Sequence, residues 1–151
     1  MITRDGKKNE LYFITQKIIK ELYKIAPLVT KFEYRHSAYA VKTFNSFLKQ
    51  LDFALNEKLD NVTQFDTDSE GVLINELYDK ENDKYLYRVI NIADVRIPEI
   101  ADVKQNTDIC FDKKFRFADI YENEKWTTRE IKDGKLKISL LPGEAAYVLI
   151  Y

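Results

Sequence analysis

Val72-Leu-Ile-Asn-Glu-Leu-Tyr78 and Tyr85-Leu-Tyr-Arg-Val-Ile-Asn-Ile92 decide the fold. Each run is dense in β-formers, and together they bracket the polar loop Asp79–Lys84, so they read as a β-hairpin. Apolar residues fall on both faces of each run, which predicts central rather than edge strands.

Downstream, the texture repeats. Strands are expected at Thr107–Phe111, Phe115–Tyr121, Lys135–Leu140 and Ala145–Tyr151, with a short one around Trp126–Glu130. Asp133-Gly134 is the strongest turn signal in the chain. Beyond it Leu136, Ile138 and Leu140 alternate with Lys135, Lys137 and Ser139. Leu141-Pro-Gly143 then turns the chain into a last strand that is apolar on both faces and needs cover on both. Ile92–Asn106, which contains Pro98, reads as a connection or an irregular edge. Six or more short strands at roughly ten-residue spacing predict an antiparallel β-sandwich. Ten tyrosines and nine phenylalanines agree, because aromatic rings suit a half-buried pleated surface.

Upstream, Leu11, Ile14, Ile18, Leu22 and Ile25 recur at helical spacing after the Arg4-Asp-Gly-Lys7 turn. A helix is expected from Asn9 to Ala26, ended by Pro27. Phe13 falls on the opposite, lysine-rich side with Lys17, Lys20 and Lys24. A strand is expected within Leu28–Tyr39, through Phe32 and Tyr34. Val41, Phe44, Leu48, Leu51 and Leu55 predict a second helix over 42–58. The fold class is therefore mainly β: an antiparallel sandwich with one or two N-terminal helices packed against it. Residues 1–60 form the helical lead-in and 61–151 the sandwich, together one compact unit.

Composition narrows the function. Lys plus Arg number 24 against 25 Asp plus Glu, a formal net charge of -1. Lysines alternate with acids, as in Asp79-Lys80-Glu81, so no basic stripe exists to neutralise phosphates, and nucleic acid is not an expected partner. No apolar run approaches the roughly 20 residues of a membrane span. The N-terminus lacks a signal-peptide core, so the chain as it stands reads as cytoplasmic; a fragment of a longer exported protein would read the same. A single cysteine, Cys110, forms no internal disulfide and no thiolate metal site alone.

Chemistry is sparse. His36 is the single histidine, at the end of a predicted strand, and no nucleophile-elbow pattern accompanies it, so it reads as structural. Cys110, between Ile109 and Phe111, reads as a small core residue. Asp66-Thr-Asp68-Ser-Glu70-Gly71 copies the start of a calcium loop, but the twelfth position, where a bidentate acid is needed, is Leu77; an acidic turn entering a strand is the better reading. Asn61-Val-Thr63 fits a glycosylation acceptor. Trp126, with Tyr121 nearby, would make a sugar-stacking platform if exposed. No catalytic residue, cofactor-binding residue or metal ligand is assigned.

Three stretches resemble the C-terminal region of bacterial glycoside hydrolases of the β-galactosidase-like kind. Arg4-Asp-Gly-Lys-Lys-Asn-Glu-Leu-Tyr-Phe13 and the helix to Ala26-Pro-Leu28 resemble the turn and last helix of a (β/α)8 barrel. The 71–79 and 83–91 runs resemble the hairpin opening the following sandwich. Asp133-Gly-Lys-Leu-Lys-Ile-Ser-Leu-Leu-Pro-Gly-Glu-Ala-Ala-Tyr-Val-Leu-Ile150 resembles its closing strands. Residues 38–61 depart from the pattern, showing a helical period where a loop or strand belongs. The resemblance implies that catalytic carboxylates lie upstream of everything present here, so none is carried over and no enzymatic activity is expected. It also accounts for Phe13, since a last barrel helix packs on more than one side. The expected function is a non-catalytic accessory module with a structural or assembly role, partnered by a hydrolase barrel or by itself through the helix bearing Phe13. The alternatives are a carbohydrate-binding module using Trp126 and Tyr121, and a small enzyme centred on His36.

Overall fold

The computed structural model describes residues 6, 8–41, 58–69, 71–93, 98–122 and 124–151. These fall into two compact units, Met1–Phe32 and Glu33–Tyr151.

The first unit is helix α1, Glu10–Val29. Asn9 caps its start, its side-chain oxygen accepting from the Tyr12 amide at 3.1 Å. Pro27 does not end the helix as expected. It sits in the last turn, forfeits its own bond to the Tyr23 carbonyl, and the chain stays helical to Val29. Closure falls to Thr30, whose amide and hydroxyl both donate to the Ala26 carbonyl. Phe13, Ile14, Ile18, Ile19, Leu22 and Tyr23 are exposed. The helix expected over 42–58 falls on residues outside those described, except for Lys58, which is not helical.

The second unit is a sandwich-like pair of antiparallel sheets. Its strands are β1 Glu33–Val41, β2 Val62–Thr67, β3 Gly71–Asp79, β4 Lys84–Asn91, β5 Gln105–Phe111, β6 Phe117–Glu122, β7 Lys125–Glu130, β8 Lys135–Leu140 and β9 Ala145–Ile150, with a short helix α2, Pro98–Ala101, between β4 and β5. One sheet has the order β1-β3-β4-β9-β6-β7 and the other β2-β5-β8. β3, β4 and β9 all have a strand on either side, as expected of central strands, while apolar residues of their second face, such as Leu73, Leu77 and Leu149, are half-buried. β1, placed by its sequence in the helical lead-in, pairs with β3 at the edge of the larger sheet.

Period-two burial defines the core. Val72 and Ile74 of β3, Tyr87 and Val89 of β4, and Ala146, Val148 and Ile150 of β9 meet Ile109 and Phe111 of β5 and Leu136, Ile138 and Leu140 of β8. The unexpected strand is β2. A bulge between Val62 and Gln64 breaks its alternation, so Val62 and Phe65, three apart, both reach the core.

Among the described strands β3–β4 and β6–β7 are the hairpins within a sheet, whereas β4 and β5, β5 and β6, β7 and β8, and β8 and β9 lie in different sheets. Asp133 and Gly134, both at positive φ, make the tight turn their sequence announces, bonded between Lys132 and Lys135. The turn stands where the chain leaves β7 of one sheet for β8 of the other. Leu141-Pro-Gly-Glu144 returns it, with Gly143 at φ 82° and the Glu144 carboxylate accepting from the Leu141 amide at 2.9 Å.

Candidate functional site

On the large sheet, the face turned away from the small one carries a row of side chains set by strand register. Arg88 of β4 pairs with Tyr147 of β9, Tyr147 with Tyr121 of β6, and Tyr121 with Trp126 of β7. Residues directly opposite on antiparallel strands bring their side chains together, so four positions distant in sequence become one strip. The Arg88 guanidinium lies 5.9 Å from the centre of the Tyr147 ring. Tyr147 meets Tyr121 edge-on at 6.5 Å, and Tyr121 meets Trp126 at 5.3 Å with the rings inclined by 53°.

The structure thus joins the two residues singled out for sugar stacking, and adds Tyr147 and Arg88, which sequence spacing does not reveal. Trp126 is the presented ring, 46% exposed at the sheet edge. Tyr121 and Tyr147 are half-buried and support it from behind, and the Tyr121 hydroxyl is buried without a hydrogen-bond partner. Polar groups stand beside the ring on the same face: Thr128, two residues on along β7, donates to its cross-strand partner Asp119 at 2.6 Å.

The opposite end of the sheet holds a second cluster. His36 of β1, Glu76 of β3 and Tyr87 of β4 are consecutive cross-strand partners on the core-facing side. Segment 58–61 covers them. The Asp60 amide donates to Glu76 Oε2 at 2.8 Å, and the Asp60 carboxylate pairs with Arg35 at 3.0 Å. Glu76 has no accessible surface, and its Oε1 lacks a hydrogen-bond partner. Burial raises the Glu76 carboxyl above its ordinary value, and the neighbouring Asp60 charge adds to the rise, against the lowering effect of the Asp60 amide. Burial likewise raises the Tyr87 phenol, and the Glu76 charge pushes the same way. Neither the Tyr87 hydroxyl nor Asn61 Nδ2 makes a hydrogen bond of ordinary geometry, although Asn61, Tyr87 and Glu76 neighbour one another.

The other sequence candidates find structural employment or the wrong surroundings. Cys110 is half-buried on the outward side of β5, between the inward Ile109 and Phe111, and so is not the core residue expected. In the acidic turn, Asp66 accepts from the Thr67 amide, and Asp68 accepts from both the backbone and side-chain nitrogens of Asn106. Asn61 of the glycosylation pattern is buried. No helix among the described residues is long and apolar enough to cross a membrane. Compared with protein-family models, with curated proteins and with solved structures, the chain matches none.

Proposed function

We propose that this chain is a non-catalytic β-sandwich module that holds carbohydrate on the outer face of its larger sheet, with Trp126 as the stacking ring. The Arg88–Tyr147–Tyr121–Trp126 row carries the reading. Sugar rings offer apolar C–H faces to an aromatic plane and hydroxyls to polar groups at its rim. An exposed indole backed by two rings meets the first need, and Thr128 and Asp119, on the same face, meet the second. The sequence resemblance supplies the setting: an accessory domain working beside a glycoside hydrolase barrel.

Trp126 is the single tryptophan, so its fluorescence reports on this face alone. Screening on a glycan array and then titrating a retained oligosaccharide should quench or blue-shift the emission, and Trp126→Ala should abolish retention with an unchanged far-ultraviolet spectrum. A flat array together with a flat titration overturns the carbohydrate reading. Turnover of nitrophenyl glycosides that disappears on one acid-to-amide change overturns the non-catalytic one.

A structural role in assembly is the second reading, supported by α1, which exposes Phe13 on one side and Ile14, Ile18 and Leu22 on another. The occupant it favours is a second copy of the chain. Sedimentation should then show a dimer that Leu22→Lys dissociates; a monomer at all concentrations excludes this reading.

A further inference from the structure

We propose that His36, Asp60 and Glu76 form a binding site for a divalent transition-metal ion, zinc in the first instance, at the β1–β3 end of the sandwich. One ligand atom from each of the three residues lies within 4.8 Å of the others. Tetrahedral ligands about 2.0–2.2 Å from a shared ion stand about 3.3–3.6 Å apart, so atoms up to 4.8 Å apart must each move inward by somewhat under about 1 Å. The β-bulge between Tyr34 and His36 resets the register so that the imidazole stands across from Glu76. Asp60 is held from two directions, by its own amide on Glu76 Oε2 and by Arg35.

Glu76 Oε1 points to a ligand independently. This fully buried carboxylate oxygen has no hydrogen-bond partner at ordinary geometry, and with only the neighbouring Tyr87 hydroxyl to offset its lost hydration it stays under-satisfied. A cation at the cluster supplies the missing interaction and offsets the repulsion between the Asp60 and Glu76 charges. The donor set of one imidazole and two carboxylates suits zinc or its first-row neighbours and disfavours calcium and magnesium, which take oxygen ligands in larger number. Access runs past Asp60, whose side chain is 39% exposed. The bound ion would tie segment 58–61 to β1 and β3.

The test uses the full chain, stripped with a chelator and dialysed. Zinc titrated calorimetrically near neutral pH should bind one equivalent with micromolar or tighter affinity, while magnesium and calcium give no heat. His36→Ala and Asp60→Asn should each weaken binding by about tenfold or more. Both positions are partly exposed, and far-ultraviolet spectra check that the variants fold. Because His36 is the single histidine, its ring nitrogens give one resolvable pair of NMR signals, which stoichiometric zinc should shift. No stoichiometric binding, or undiminished affinity in both variants, overturns the proposal; so does a His36 ring that responds to pH but not to zinc.

Discussion

Glu76 is the residue whose chemistry departs furthest from its surroundings. It occupies an inward position of a central strand, where Val72 and Ile74 on the same face are packed apolar side chains. Its carboxyl is raised, first by burial, so the folded state holds the proton more tightly than the unfolded chain does. The stability linked to that proton is fully present below the ordinary value of 4.5 and is lost as pH rises through the folded value. Metal-free Glu76→Gln should therefore melt higher than the parent at neutral pH, with the difference shrinking as pH falls towards 4.5. Melting curves from pH 7 down to 4 check this, and an advantage independent of pH would contradict the sign. Trp126→Ala removes a half-exposed ring from an edge strand and should change stability by less than about 1 kcal/mol, so lost glycan retention in that variant reports binding rather than unfolding. Trp126 and Tyr121 were legible as a pair because they flank one hairpin. Glu76 was not: in sequence it is one acid among 25, and nothing local distinguishes it from a solvated one.

Among the elements, turns and central strands were the most readable. The 71–79 and 84–91 hairpin follows from two apolar runs around a polar loop, and the structure pairs Val72 with Asn91 through to Asp79 with Lys84. The Asp79 carboxylate closes that loop, accepting from the Glu81 and Asn82 amides. Asp133-Gly134 was readable as a turn but not as a crossing between sheets, because local torsions do not reveal which sheet the next strand joins. Gly134 has φ 78°, and a Cβ there would stand 3.0 Å from the Phe111 carbonyl oxygen. Gly134→Ala should destabilise the fold by about 1–2 kcal/mol, seen as a lower urea midpoint, since neither the torsion nor the close backbone approach tolerates a side chain. β2 escaped the sequence reading because its bulge spaces Val62 and Phe65 by three, a step that belongs to neither a plain strand nor a sustained helix. Pro27 misled in the other direction: α1 runs two residues past it to Val29, and the Thr30 amide and hydroxyl close the helix on the Ala26 carbonyl.

Across the whole sandwich, apolar packing brings the two sheets together, and one buried amide pins them. Asn91, at the end of β4, accepts from the Ser69 hydroxyl and the Ala93 amide and donates to Gln105 of β5 and to the Leu140 carbonyl of β8. Its side chain thus bonds from the large sheet to two strands of the small one, with every amide capacity used. Asn91→Ala should cost about 2–4 kcal/mol, because the groups it serves stay buried and lose their partner. In urea unfolding the midpoint should fall with an unchanged slope, while a shift below about 0.5 kcal/mol would show that water replaces the amide.

By itself the sequence determined that the chain is mainly β, where its central hairpin and turns lie, and that Trp126 and Tyr121 are close. Those properties rest on period, turn chemistry and short separation, all of which are local. Only the tertiary structure decided that β1 joins the large sheet, that Arg88 and Tyr147 extend the aromatic row, and that His36 and Asp60 meet Glu76. Such neighbours are set by which strands pair and in what register, and pairing is chosen by the burial of the whole core rather than by any one segment.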